Sequence, residues 1–348
     1  MKDKQPIKLG FIGLGFVCQQ CHLPTFSLNS NFKIEAISDP FDDLRKRIGS
    51  KYGIQNQFAS HSEMLREASI DAVVITLPRR LTFSVVKDCL KQKKWVFTEK
   101  PLCLNLNHAE EILDLSIKNN RGVYVGYMKT SDDGTHLFKK QFNSKSAKSI
   151  KSIRAFCHSG YSYASPFGDI KGNELTKVDY NLEEFPSWLD KELEFSYEQY
   201  LNTFSHISHA LEFITERKLS FINYSGNKDG EGFLNASLSR TNAPVIIQTS
   251  RGEQNEWVEG IEIIWNDSIS TINYPAAFLR NVPATISNLK GRQESIIEKI
   301  RPQWSWSFLN QTYSFLEMIQ TKNKDNKNLI SSVNQVRLIS DLFKSLNN

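Results

Sequence analysis

Along the first 127 residues, short apolar runs alternate with amphipathic stretches. Ile7–Ile12, Phe32–Ser38, Asp71–Leu77, the run that begins at Trp95, and Gly122–Tyr127 are compact and rich in branched or aromatic side chains, and they predict buried strands. Between them Asp42–Tyr52, Ser62–Glu67, Thr82–Gln92 and Asn107–Lys118 carry helical periodicity, the last with Asn107 as a candidate N-cap. Pro24 should end or kink the helix after the first strand, because proline has no N–H to give. Strand and helix in strict alternation predict a doubly wound domain with a parallel sheet.

The pattern then changes. Thr135–Phe142 predicts a short helix, and the lysines at 145, 148 and 151 read as a solvated connection. Ser152–His158 predicts a strand, Ser159–Pro186 a long polar loop, and Phe195–Glu216 one continuous helix. Five β-rich stretches follow: Leu219–Tyr224, Gly232–Arg240, Val245–Ser250, Val258–Trp265 and Ser268–Tyr274. Trp306–Gln320 and Ile330–Leu346 predict closing helices. Strands in succession, separated by turns, predict an α+β domain with a mostly antiparallel open sheet. The expected division is 1–127 and 128–348, with the terminal helices over 306–348 as candidates for packing back on the first domain.

A length of 348 residues suits two cores better than one. The net charge of +5 is a diffuse excess of 43 basic over 38 acidic side chains, and the basic stretch lacks interleaved aromatics, so no nucleic-acid partner is expected. No apolar run approaches the ~18 residues of a membrane span, and the amino terminus leads straight into a strand with no signal-peptide core, so a cytoplasmic location is expected. Five scattered cysteines do not make a disulfide framework. Cys18-Gln19-Gln20-Cys21-His22 matches a haem-attachment pattern, but it lies in the turn and helix after a glycine-rich strand end, and both thiols are expected free.

Three groups of residues carry chemistry. Gly13-Leu14-Gly15-Phe16-Val17-Cys18 follows the first strand as G-x-G-x-x-G with a small residue in the third glycine position. Gly13 allows the tight turn and Gly15 lets backbone approach a pyrophosphate, with Phe16 and Val17 opening the helix. Asp39 ends the second strand, where an acid accepts from a ribose 2′-hydroxyl and repels a 2′-phosphate; this favours NAD over NADP, although Arg45 and Arg47 nearby keep NADP open. Thr76 and Pro78 close another strand on the same sheet edge. Second, the Trp95 strand stops at Glu99-Lys100-Pro101, putting an acid and a lysine where open α/β sheets bind ligands. Third, Asn202, His206 and His209 stand at i, i+4 and i+7 on one helix face. Two histidines without a third ligand do not make a metal site, and none is assigned.

Gly13-Leu14-Gly15, His22-Leu23-Pro24, Glu99-Lys100-Pro101, Gly126-Tyr127-Met128-Lys129 and the Asn202–His206–His209 helix occur in one order, and together the chain resembles the glucose–fructose oxidoreductase/inositol dehydrogenase (Gfo/Idh/MocA) family. The resemblance implies an NAD-dependent oxidoreductase acting on a secondary alcohol of a sugar, cyclitol or sugar derivative. It implies Lys100 and His206 as catalytic residues, Glu99 and Lys100 beside the cofactor, and Lys100, Tyr127, Lys129, Asn202 and His206 as substrate contacts. It implies a homodimer or homotetramer. The chain departs from the family pattern at Asn202, where an aspartate is usual, at His209, where an acid or asparagine is usual, and at Thr82, where many members have a histidine. Two alternatives from other classes are an NAD-dependent glycosidase of the same fold and a non-catalytic sensor of NAD and sugar.

Overall fold

The computed structural model describes residues 5–160, 169–178, 180–254, 256–291, 293–322 and 326–346. It divides into two compact units: Met1–Gly126 with Pro166–Glu184 and Gln311–Val333, and Tyr127–Ser165 with Phe185–Asn310 and Asn334–Asn348.

The first unit holds strands β1 (Ile7–Ile12), β2 (Phe32–Ser38), β3 (Asn56–Phe58), β4 (Ala72–Ile75), β5 (Trp95–Thr98) and β6 (Val123–Val125), and helices α1 (Leu23–Leu28), α2 (Asp42–Tyr52), α3 (His61–Glu67), α4 (Arg79–Lys91) and α5 (Leu106–Asn119). Its six strands pair in parallel in the order β3-β2-β1-β4-β5-β6. This is the Rossmann arrangement, whose order reverses between β1 and β4 and so opens a crevice at their carboxyl ends. β4 is buried at all four positions, as a central parallel strand must be with helices on both sheet faces.

Two local features differ from expectation. Cys18–His22 forms a π-helical turn closed by the Leu23 N–H on the Cys18 carbonyl, and Pro24 falls in the first turn of α1 instead of ending the helix. The wide turn stands immediately before the residue that cannot donate to an ordinary helical carbonyl. The N-cap of α5 is Asn105 and not Asn107; the Asn105 side chain accepts from the Asn107 N–H at 3.1 Å.

The second unit carries an eight-stranded sheet in the order β14-β13-β12-β11-β7-β10-β9-β8. Its strands are β7 (Ile150–Ser159), β8 (Leu219–Gly226), β9 (Gly232–Leu238), β10 (Val245–Arg251), β11 (Val258–Trp265), β12 (Ser268–Tyr274), β13 (Thr285–Lys290) and β14 (Ile296–Ile300). Only β7 and β10 pair in parallel; the other neighbours are antiparallel. One face is buried, with Ile153, Ala155, Ile247, Ile261 and Ile263 beneath α6 (Asp133–Asn143) and α8 (Ser205–Thr215). The single helix expected over 195–216 is two, α7 (Glu194–Thr203) and α8, broken at Phe204. The Ser205 hydroxyl donates to the Leu201 carbonyl, a back-bond that competes with the helical ladder at that point. Helices α9 (Ser307–Gln320) and α10 (Lys327–Lys344) end the chain, and the unit boundaries fall inside both. Of the lysines read as solvated, Lys148 and Lys151 are exposed, but Lys145 donates to Ser268 Oγ at 2.5 Å and lies over the Trp265 ring.

Among the described residues no helix is long and apolar enough to cross a membrane. Nor does any group of three or more His, Cys, Asp or Glu side chains there suit a metal ion. The five cysteines are free and buried; burial pushes the Cys18 thiol up to about 12, so Cys18 is a packing residue.

Candidate functional site

In the first unit the glycine turn is built by contact as well as by sequence. Gly13 adopts φ +85°, and a Cβ there would stand 2.4 Å from the Thr76 carbonyl oxygen, so only glycine fits. The Thr76 hydroxyl donates to the Gly13 carbonyl at 2.6 Å, tying the end of β4 to the turn. Gly15 is exposed, and nothing lies within 4 Å of where its Cβ would be, which leaves its backbone open to a ligand. The chain is helical from Phe16 onward, so the helix start faces the same opening.

Asp39 closes the other side. Its carboxylate accepts from the Leu14 N–H at 2.8 Å and from the Phe41 N–H at 3.0 Å, so the end of β2 is fastened to the glycine turn. Burial pushes this carboxyl above the usual aspartate range against the pull of those two donors and Arg45. Both nearby arginines are committed elsewhere. Arg45 donates to the Asp39 carbonyl at 2.5 Å and to Asp42 at 2.8 Å, and Arg47 donates to Asp43 at 2.7 Å and to the Lys171 carbonyl. A strand-ending acid, a left-handed glycine and an open glycine beside a helix start fit a dinucleotide: Gly13, Gly15, Phe16 and Val17 toward the pyrophosphate, Asp39 toward a ribose, Thr76 and Pro78 along the wall.

At the end of β5, Glu99 is fixed from below. The buried His22 ring donates through Nε2 to Glu99 Oε1 at 2.6 Å, and Glu99 Oε2 accepts from the Lys100 N–H at 3.3 Å. Lys100 is half-buried and the Lys100–Pro101 peptide is cis. Neither His22 nor Gln19, which binds Leu14, was given a role by sequence reasoning. Their partners lie far along the chain, and only the quoted His22-Leu23-Pro24 run hinted at the first.

The second unit brings Tyr127, His206 and His209 together. The Tyr127 ring stacks on His209 at 3.9 Å and 11° and meets His206 edge-on at 5.6 Å and 80°. Tyr127 and His209 are buried, while His206 and Asn202 are half-buried; the break at Phe204 puts Asn202 on α7 and both histidines on α8, so the expected single helix face holds only for the histidine pair. Lys129 goes elsewhere: only 3% exposed, its ammonium sits 2.9 Å from Glu259 Oε2 and over the Tyr274 ring. Glu259 also accepts from Trp257 Nε1 at 2.7 Å. Lys129, expected as a substrate contact, is thus buried and ion-paired with Glu259. Tyr127, equally buried, supports the histidines.

Residues 7–127 match the Gfo/Idh/MocA family, described as an oxidoreductase family with an NAD-binding Rossmann fold. Over 126 residues the chain is 27% identical to the myo-inositol 2-dehydrogenase of Thermotoga maritima, covering 36% of this chain and 37% of that one. Over 106 residues it is 30% identical to the galactose 1-dehydrogenase of Pseudomonas fluorescens, covering 30% and 32%. The matched stretch is thus about a third of the length of these relatives. Across almost the whole chain the fold is similar to that of KijD10, a 3-ketoreductase of Actinomadura kijaniata solved with NADP and TDP-benzene: the TM-score is 0.73, with 18% identity and 97% of each chain covered. It is also similar to a probable dehydrogenase from Thermotoga maritima, with TM-score 0.71, 18% identity, and 98% and 96% covered.

Proposed function

From the match of residues 7–127 to the Gfo/Idh/MocA oxidoreductase family we propose that the protein is an NAD-dependent dehydrogenase acting on a secondary alcohol of a sugar, cyclitol or sugar derivative. The observation that carries the reading is the glycine turn: φ +85° at Gly13, open backbone at Gly15, and Asp39 fastened to the Leu14 N–H between them. NAD is preferred to NADP because the acid at the end of β2 meets a 2′-hydroxyl and repels a phosphate, while Arg45 and Arg47 already bind protein oxygens. The bound nicotinamide would accept or donate the hydride.

The chain's own residues do the rest. Lys100, at the carboxyl end of β5, donates a hydrogen bond to the reacting oxygen and favours its developing negative charge. His206 takes the hydroxyl proton in oxidation and returns it in reduction. Tyr127 holds the imidazole edge-on, and Asn202, four residues earlier at the end of α7, carries a neutral amide where a carboxylate would stabilise the imidazolium. Names of relatives, an inositol and a galactose dehydrogenase, support a polyhydroxylated substrate.

The test is a screen of free sugars, cyclitols and nucleotide-linked hexoses, following the absorbance of reduced nicotinamide with NAD and with NADP. Net NADH formation with one of them is expected. Release of reducing sugar without net NADH would replace this reading with the glycosidase, and binding without turnover would replace it with the sensor.

A further inference from the structure

The polar stretch after β7 returns to the first unit, and its residues 170–176 lie along the mouth of the nucleotide site. At one end the Gln19 side-chain amide grips Ile170 on both sides. Gln19 Nε2 donates to the Ile170 carbonyl at 2.8 Å, and the Ile170 N–H donates to Gln19 Oε1 at 2.7 Å. The same Nε2 donates to the Leu14 carbonyl, inside the glycine turn, at 2.7 Å. At the other end the stretch pairs with the chain just after Asp39. The Asp42 N–H donates to the Glu174 carbonyl at 2.9 Å, the Thr176 N–H to the Pro40 carbonyl at 2.8 Å, and Phe41 bridges antiparallel to Leu175. Asp43 accepts from the Asn173 and Glu174 N–H groups at 3.0 and 3.1 Å.

A 2′-phosphate extends from the ribose oxygen that Asp39 would hold, so the donors within its reach belong to the residues right after Asp39 and to the first turns of α2. Helix starts are ordinary anion sites for this reason. Here Pro40 has no N–H, the Phe41 N–H is on Asp39, the Asp42 N–H is on Glu174, and Arg47 is on Asp43 and the Lys171 carbonyl. The stretch is seated by Gly172, where a Cβ would stand 2.4 Å from Phe41 Cβ.

We propose that residues 170–176 are a specificity strap: docked across the start of α2, they take the Asp42 N–H and, through the Lys171 carbonyl, one donor of Arg47, donors that a 2′-phosphate would otherwise use, making the chain selective for the cofactor without that phosphate. The proposal rests on the reading of this unit as a dinucleotide site, and goes beyond the charge of Asp39. Selectivity is then divided between an acid that repels and a strap that removes the donors.

The experiment uses two substitutions that change no charge, Gly172→Ala and Gln19→Ala, combined in the full chain, with NAD and NADP affinities measured by calorimetry. Lifting the strap should tighten NADP relative to NAD by about tenfold, the worth of one charge-assisted hydrogen bond, and adding Arg47→Ala should abolish that gain. Hydrogen exchange at the Asp42 and Thr176 amides should quicken in the same variant; amides that stay protected would refute the role given to Gly172 and Gln19. Wild-type binding of NAD with an unchanged ratio in the variant would overturn the strap and leave the dinucleotide reading standing. Wild-type binding of neither cofactor would overturn that reading, and the strap with it.

Discussion

His22 Nε2 lies 2.6 Å from Glu99 Oε1, so a fully buried imidazole on the π-helical turn after the glycine loop holds the acid that precedes Lys100. The ring is wedged edge-on against Phe97 at 5.0 Å, which fixes its plane. Two segments 77 residues apart are thereby locked at the carboxyl ends of neighbouring parts of one sheet. His22→Leu keeps the packing but strips Glu99 of this partner, and should cost about 1–3 kcal/mol of stability. Urea denaturation checks this, and a midpoint equal to wild type would mean that the pair is not structural.

Asp39 links stability to cofactor binding with opposite signs. Its carboxyl titrates above the usual range because burial disfavours the charge. The folded state therefore binds this proton more readily than the unfolded chain, so the ionised form costs stability at neutral pH, a cost relieved as pH falls through the raised value. NAD affinity should move the other way, weakening on acidification before ordinary carboxylates titrate. Asp39→Asn, which leaves one oxygen for the Leu14 and Phe41 N–H groups, should loosen NAD by about tenfold. Calorimetric titration across pH 4–8, flat for NAD in the wild type, would refute the link.

In the second unit the Lys129–Glu259 pair is almost sealed from water. Removing one partner of such a pair leaves a buried charge and typically costs ~3–5 kcal/mol, whereas replacing both by apolar groups can be close to neutral. Lys129→Met should therefore be severely destabilising, and Lys129→Met with Glu259→Leu should recover much of the loss. A double variant no better than the single in chemical denaturation would show that the pair is not the source of the cost.

Five strands of the parallel sheet were legible in the sequence because they are apolar runs ended by glycine, proline or an acid, whereas the edge strand β3, Asn56–Phe58, is too short and polar to stand out; the glycine turn was legible because only certain residues fit it. The split at Phe204 was not, since the helical periodicity of 195–216 runs straight through it. Strands β13 and β14 escaped because one of the two buried positions of Thr285–Lys290 is the polar Asn288, and Ile296–Ile300, at the sheet edge, has no buried position at all. The 170–176 strap looked like loop because its order comes from hydrogen bonds to residues over 120 positions away. The ion pair of Lys129 was illegible for a related reason: its buried partner Glu259 is invisible to local spacing.

The uncovered face of the eight-stranded sheet carries exposed Phe233, Ile246, Val258, Leu289 and Ile297. Alternation puts them opposite the buried residues of the same strands, Leu234, Ile247 and Ile286 among them. On this face they alternate with polar neighbours, Ile246 between Asn235 and Arg154 and Val258 beside His158, and a second copy of the chain offers the same mixed surface in return. A dimer or tetramer is expected at micromolar concentration, and Ile246→Lys with Val258→Lys should give a folded monomer in analytical ultracentrifugation. A monomeric wild type would refute it.

The catalytic assignment is tested at Lys100 and at His206 separately. Removing a positioned acid or base typically costs ~10²–10⁴-fold in rate, and Lys100→Ala and His206→Ala should each fall in that range with NAD affinity nearly unchanged. Asn202 supplies a finer probe, because it stands four residues before His206, across the break at Phe204, as a neutral amide. Asn202→Asp would set a carboxylate beside the imidazole, favour its protonated form and raise its pKa. The limb of the pH–rate profile that reports loss of that proton should then move to higher pH, while Asn202→Ala leaves its position unchanged. The shift must vanish in Asn202→Asp combined with His206→Gln, since no imidazole remains to titrate. A profile that moves equally with and without His206 would assign the ionisation to another group, and a wild-type rate for Lys100→Ala would remove the lysine from the chemistry.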